Sequence, residues 1–210
     1  MNFFITGTDT GVGKTFITTA LIKSARSHGI DCVGMKPICS GGNEDALSLL
    51  AATENIEPQH LVNPVWFDTP AAPYTASLIE DRLVDLESIR AAYQELAMRH
   101  AWVLVEGAGG LTVPISAKYD FRDLAGELGL SVVIVAANRL GTINHTRLTL
   151  QAVKAAKLTC QMVILNELEP PSDPSQATNF GILQNLLDVP VTHVKYNQTD
   201  LAAIIDQLRT

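Results

Sequence analysis

Nine residues near the start of the chain, Gly7-Thr8-Asp9-Thr10-Gly11-Val12-Gly13-Lys14-Thr15, have the composition of a loop that holds phosphate. Glycines let successive backbone N–H groups turn inward around an anion, and the start of a helix adds partial positive charge. In such a loop Lys14 reaches the β- and γ-phosphates, and the Thr15 hydroxyl ligates Mg2+. Five residues separate Gly7 from Gly13, one more than in the common pattern. As a loop lysine, Lys14 is expected to be exposed and to contribute little to stability.

Three further groups have types suited to the same chemistry. Glu106 ends the apolar run Trp102-Val103-Leu104-Val105 and precedes Gly107-Ala108-Gly109-Gly110. A carboxylate at a strand's carboxyl end beside a phosphate loop is placed to hold the metal, although Asp is the commoner residue there. Asp45 opens a helical pattern, where the helix dipole favours an acid in any case. Lys36 and Ser40 flank Pro37-Ile38-Cys39 at the end of a second strand. A lysine there either holds an anion or carbonyl or is a solvated loop residue, and the residues alone leave both readings open.

Short apolar runs alternate with helical patterns along the chain, and these elements must position the groups above. Strands are predicted at Asn2–Thr6, Asp31–Ile38, Trp102–Val105, Ser131–Ala137, Gln161–Leu165 and Val191–Tyr196. Helices are predicted at Lys14–His28, Asp45–Thr53, Asp85–His100, Tyr119–Leu128, Asn144–Ala156 and Gln176–Leu187, with a last one from Asp200. Pro58–Ala76 carries four prolines and reads as irregular loop, as does the proline-rich Glu169–Ser175. The strands lack in/out alternation, so both faces are expected to be covered. That predicts an α/β fold of three layers, a mostly parallel sheet with helices on both faces. Ligands in such sheets bind beyond the carboxyl ends of the strands.

Composition narrows the function classes. At 210 residues the chain is long enough for one α/β domain spanning 1–210 and short for two. Its net charge is −7, and its 15 Lys and Arg residues form no runs, which argues against a nucleic-acid partner. No apolar stretch reaches the length of a membrane helix, and the N-terminus has no basic, cleavable leader, so a soluble cytoplasmic protein is expected. Cys32, Cys39 and Cys160 form no Cys-x-x-Cys and are read as free thiols, and the five histidines show no metal-ligand spacing.

Four segments taken together resemble the dethiobiotin synthetase family of P-loop NTPase-like proteins. They are Gly7 to Thr15, Lys36-Pro37 with Ser40-Gly41, Val105-Glu106-Gly107-Ala108-Gly109-Gly110 with Val113-Pro114, and Leu140-Gly141-Thr142-Ile143-Asn144-His145-Thr146. They fall in the family's order, and the matches run from Met1 to about Asn166. The first and third are shared in part with cobyrinate amidases.

The resemblance implies ATP- and Mg2+-dependent formation of dethiobiotin from 7,8-diaminononanoate and CO2. One amine takes up CO2 as a carbamate, a carbamate oxygen attacks the γ-phosphate, and the second amine closes the cyclic urea. By that matching Lys14 and Lys36 are catalytic, and Thr15, Asp45 and Glu106 hold the metal. Thr10, Gly11, Val12, Gly13, Lys14, Thr15, Glu106, Gly107 and Gly109 bind the nucleotide, with Asn166 reading the adenine edge. Thr10, Lys36, Ser40 and Gly109 face the diamine or its carbamate. Lys36 is expected to sit away from the phosphate loop and to spare nucleotide binding when removed. Thr142, Ile143 and Asn144 open a helix whose free N–H groups would take the substrate carboxylate, supplied in the family by the second subunit of a homodimer with shared sites.

Two segments depart from the family. Thr192 to Asn197 lacks its Gly-x-Ile-Pro-like stretch, and Pro73-Tyr74 stands where relatives often have Pro-His. The alternative class is a nucleotide-dependent switch of the partition and septum-placement type. Those proteins typically carry an additional lysine early in the phosphate loop, and Thr8 to Gly11 has none.

Overall fold

The computed structural model describes residues 1–170 and 172–209. Strand β1 (Asn2–Gly7) runs into the glycine loop, and helix α1 (Lys14–Ser27) follows it. Next come β2 (Cys32–Met35), a short β3 (Ile38–Ser40), α2 (Glu44–Ala52), α3 (Gln59–Val62) and β4 (Val65–Phe67). Helices α4 (Pro73–Ile79) and α5 (Leu86–Arg99) lead into the long β5 (Trp102–Gly110). An antiparallel pair, β6 (Pro114–Ser116) and β7 (Tyr119–Asp120), precedes α6 (Phe121–Glu127). The chain then alternates through β8 (Ser131–Ala137), α7 (Thr142–Ala155), β9 (Cys160–Asn166), α8 (Pro174–Leu186), β10 (Val191–Val194) and α9 (Ala202–Leu208).

The main sheet has the order β10-β9-β8-β1-β5-β2, and all its pairings are parallel. Alternate residues of each strand enter opposite cores. Phe3, Ile5, Leu104, Val133 and Val135 pack with Ile17 and Leu21 of α1, Leu49 of α2 and Ile205 of α9. Phe4, Val105, Val132 and Ile134 pack on the other face with Ile89 and Leu96 of α5, Phe121 of α6 and Leu150 of α7. Both faces are apolar because both are covered, so the strands read as continuous runs. Fold class and layering are as expected. Among the described residues no helix is long and apolar enough to cross a membrane.

Five elements differ from expectation. β5 runs on to Gly110 instead of stopping at Val105, so Glu106 lies within the strand rather than at its end. The stretch Asp31–Ile38 is not one strand: β2 stops at Met35, and the Lys36 N–H donates to Val62 O at 2.7 Å. Pro37 has no N–H to continue a ladder. β3 instead pairs with β4 in a separate two-stranded parallel sheet. Pro58–Ala76 is not irregular, since it holds α3, β4 and the first turns of α4. Pro58 is the N-cap of α3 and Pro73 opens α4, positions where a missing N–H costs nothing. Tyr119 belongs to the hairpin rather than to α6, whose true cap is Asp120, paired with Asp123 in a capping box. β10 ends at Val194, short of Tyr196.

Candidate active site

The register of β1 against β5 sets the site. Ile5 pairs with Glu106, and Gly7 pairs with Gly110. The loop that leaves β1 is thereby placed beside the carboxylate that β5 carries. Gly13 stands at φ +85°, and a Cβ there would fall 2.3 Å from Asn166 Nδ2, so only glycine fits. Asn166, at the end of β9, donates from that nitrogen to Val12 O at 3.1 Å. It therefore ties the phosphate loop to the far side of the sheet, and its buried Oδ1 has no partner among the described residues.

Four side chains from four segments meet at the carboxyl ends of β1, β2 and β5. Thr15 Oγ1 lies 2.7 Å from Asp45 Oδ1 and 2.8 Å from Glu106 Oε1. Lys36 Nζ donates to Asp45 Oδ2 at 2.6 Å, to Glu106 Oε1 at 2.7 Å and to Gly107 O at 3.3 Å. The expectation that Lys36 stands away from the phosphate loop is thus corrected. It is 3% exposed and bonded to both of the acids that lie against Thr15 Oγ1. The same burial excludes a solvated loop lysine. Lys14 is also buried, at 7% exposure, and donates to Asp9 O at 3.4 Å, so it too is not the exposed residue expected.

The charges perturb one another. Burial lowers the Lys14 pKa, and the nearby Lys36 charge lowers it further. Burial also works against charge on Lys36, but Glu106 and Asp45 more than reverse it and hold the ammonium above the ordinary lysine range. Burial would raise Asp45, yet Lys36 and Thr15 outweigh it and keep the carboxyl below its usual value. Lys36 is therefore charged and Asp45 ionised at neutral pH.

The oxygens fit a small hard cation. Octahedral coordination with bonds of about 2.05 Å puts neighbouring ligands roughly 2.9 Å apart, and Thr15 Oγ1 stands 2.7 and 2.8 Å from the two carboxylate oxygens. A hydroxyl has one proton and cannot donate to both. Glu106 Oε2 is buried without a partner. A cation bound by one hydroxyl and two acids would resolve this crowding. Among the described residues there is no cluster of three or more His, Cys, Asp or Glu that could hold a metal ion.

A cleft of about 720 Å³ opens over this cluster. Thr10, Gly11, Gly13, Lys14, Thr15, Lys36, Ser40, Asp45 and Gly109 line it together. Val12, Glu106, Gly107 and Asn166 lie behind its wall; Val12, Glu106 and Asn166 are fully buried there. Ser40 Oγ is buried without a partner. Gly109, at φ +65°, brings its backbone close to Thr10, where a Cβ would meet Thr10 Oγ1 at 3.4 Å.

Thr142, Ile143 and Asn144 are not brought to this cleft. The N–H of Thr142 is also not free, since it donates to Arg139 O at 3.1 Å. Sequence reasoning missed the wall formed by Pro70-Ala71-Ala72-Pro73 and the floor residues Ala108 and Val113. The first had a signal, a proline where a helix starts. Cys39 also lines the cleft, but burial raises its thiol to about 11, so it is no nucleophile at neutral pH.

A family model described as an AAA domain matches residues 1–199. The ATP-dependent dethiobiotin synthetase of Anaeromyxobacter dehalogenans is 46% identical over 187 residues, covering 87% of this chain and 84% of that protein. Those of Akkermansia muciniphila and Xanthomonas oryzae are 38% and 41% identical, with 90% of this chain and 89% and 87% of theirs covered.

The chain belongs to the dethiobiotin synthetase family.

Its fold is that of the P-loop NTPases. The MinD cell division protein of Aquifex aeolicus superposes with a TM-score of 0.57 at 14% identity, covering 99% of this chain and 95% of that one. A ParA family ATPase of Chlorobium tepidum gives 0.54 at 13%, covering 99% and 88%. At such identity these likenesses concern the fold alone. The segments Thr192–Asn197 and Pro73-Tyr74 fall at the end of β10 and the start of α4.

Proposed function

We propose that the chain is an ATP-dependent cyclo-ligase that makes dethiobiotin, ADP and phosphate from 7,8-diaminononanoate, CO2 and ATP. The observation that carries this reading is the convergence of Lys14, Lys36, Thr15, Asp45 and Glu106 at one cleft, in a chain of this family. Phosphoryl transfer asks the protein for positioning and charge cancellation rather than for a nucleophilic side chain.

The nucleotide phosphates lie in the loop from Thr10 to Thr15, with the Lys14 ammonium on the transferring group. Mg2+, held by Thr15, Asp45 and Glu106, would spread the charge of the β- and γ-oxygens. One substrate amine adds to CO2 and loses a proton to give a carbamate. A carbamate oxygen attacks the γ-phosphorus and ADP leaves. The second amine attacks the mixed-anhydride carbon, phosphate leaves, and the cyclic urea closes. Lys36, Thr10, Ser40 and the Gly109 backbone surround the carbamate in this reading, and Asn166, which holds Val12 O, is assigned to the adenine edge.

The far carboxylate of the diamine is assigned to the α7 start, Thr142, Ile143 and Asn144, of a second copy in a two-fold dimer with shared sites, with Ile143 and Asn144 as the donors because the Thr142 N–H is taken by Arg139 O. The position of these residues outside the chain's own cleft supports this, as do the exposed Leu140 and Leu148 beside them. Residues 1–210 act as one synthetase domain, and the free, unpaired thiols suit the cytoplasm.

The test is direct. Protein incubated with the diamine, bicarbonate and ATP-Mg should yield dethiobiotin by mass spectrometry, with phosphate release that requires both diamine and CO2. Equal ATP hydrolysis without the diamine would point instead to a nucleotide-dependent switch.

A further inference from the structure

All three protons of the Lys36 ammonium are committed to the protein. They go to Asp45 Oδ2 at 2.6 Å, Glu106 Oε1 at 2.7 Å and Gly107 O at 3.3 Å. The side chain is 4% exposed, and Glu106 is fully buried. An ammonium has three donors and no more, so in this arrangement Lys36 has none left for a substrate oxygen. It can serve a carbamate only after releasing at least one of the two acids.

The same two acids, with Thr15, are the groups whose spacing fits a divalent cation. Lys36 and Thr15 share one oxygen, Glu106 Oε1, and divide the two oxygens of Asp45 between them. We propose that Lys36 is the resident counter-cation of the Asp45–Glu106 pair, and that a divalent ion entering at Thr15, Asp45 and Glu106 displaces its ammonium into the cleft. The inference rests on the metal-ligand reading given under Proposed function.

Two physical effects drive the exchange. A doubly charged ion on Glu106 Oε1 would sit within roughly 4 Å of Nζ, where the repulsion exceeds the worth of a surface ion pair severalfold. The ion also neutralises the carboxylates, which removes what holds the ammonium. Lys36 already lines the cleft, so the freed group need only swing about its own side-chain bonds. Until the ion arrives, the buried Glu106 carboxylate is never left uncompensated, a state that is strongly unfavourable. Lys36 thus becomes a donor toward the cleft only when the metal is in place.

The experiment uses Mn2+ as the probe, without diamine. Crystals soaked in Mn2+ with ADP should place the anomalous peak at Thr15, Asp45 and Glu106, with Lys36 Nζ moved beyond hydrogen-bond reach of Asp45. Mn2+ bound there with Lys36 still on both carboxylates overturns the exchange and leaves the metal reading intact. No Mn2+ at these residues overturns both. In solution, Mn2+ titration followed by electron paramagnetic resonance should show binding about tenfold or more tighter in Lys36→Met, since the competing charge is gone. Unchanged or weaker binding in a folded variant would mean that Lys36 assembles the ligands without opposing the ion. Should that variant fail to fold, the wild-type crystal decides alone.

Discussion

The side-chain cluster of Thr15, Lys36, Asp45 and Glu106 and the start of α7, both given substrate-facing roles under Proposed function, are built differently. At the first, the groups are tied to one another before any ligand is considered: Thr15 to Asp45 and Glu106, Lys36 to both acids, Asn166 to Val12. At the second, Thr142 and Thr146 hold buried hydroxyls without partners, Asn144 is exposed, and the segment lies off the cleft. The phosphate half is complete within one chain, because parallel neighbours in the sheet fix its register. The start of α7 has no such tie to the cleft.

The largest effect expected falls on the complete half. Lys14→Ala should lose about 10²-fold or more of phosphoryl transfer, as with other preorganised electrostatic groups. Because Lys14 is buried, Lys14→Met is the control that keeps its packing, and thermal melting should show both variants folded. Near-normal turnover in either would remove the phosphate-loop assignment.

A mixing experiment addresses the start of α7. Lys14→Ala and Asn144→Glu chains should each be inactive alone. If the sites are shared across a two-fold, one site of each mixed dimer carries both lesions and the other none. Roughly a quarter of parental activity should then return, half the dimers being mixed and half their sites intact. A mixture that stays inactive after confirmed subunit exchange would confine the substrate carboxylate to one chain.

Glu106→Gln keeps shape and removes charge. The Mg2+ concentration for half-maximal activity should rise by more than about tenfold, given what even outer partners of a metal site contribute. An unchanged Mg2+ requirement would reduce Glu106 to the buried partner of Lys36.

The smallest effect concerns pH. The Asp45 pKa is held below the ordinary value of 3.8, so its stabilising contribution is present above that value and lost as pH falls through the depressed one. Asp45 is nearly half exposed, which limits the contribution to under about 1 kcal/mol. Urea unfolding of Asp45→Asn against the parent should show a gap at pH 6 that narrows toward pH 3. A gap independent of pH would assign the loss to packing.

Much of this was legible because the chain is locally consistent. The run from Phe3 to Ile5, the glycines to Gly13 and the helix from Lys14 each point to the same strand–loop–helix unit. Pro58–Ala76 was misread because proline marks a break in general but a beginning at the first turn of a helix, as at Pro73. The split of the second strand at Lys36 was hidden because the partner of its N–H, Val62 O, lies 26 residues further along the chain.

The sequence by itself determined the layered α/β fold, the phosphate loop and the charged and hydroxyl-bearing groups Thr10, Lys14, Thr15, Lys36, Ser40 and Asp45 at the cleft, since these follow from short-range spacing and residue type. Only the tertiary structure decided that Lys36 is buried between Asp45 and Glu106, that Lys14 is not a surface residue, and that the start of α7 stands apart. Each depends on which strands lie side by side. The order β8-β1-β5-β2 brings residues 15, 36, 45 and 106 within hydrogen-bond reach, and no local pattern encodes that neighbourhood.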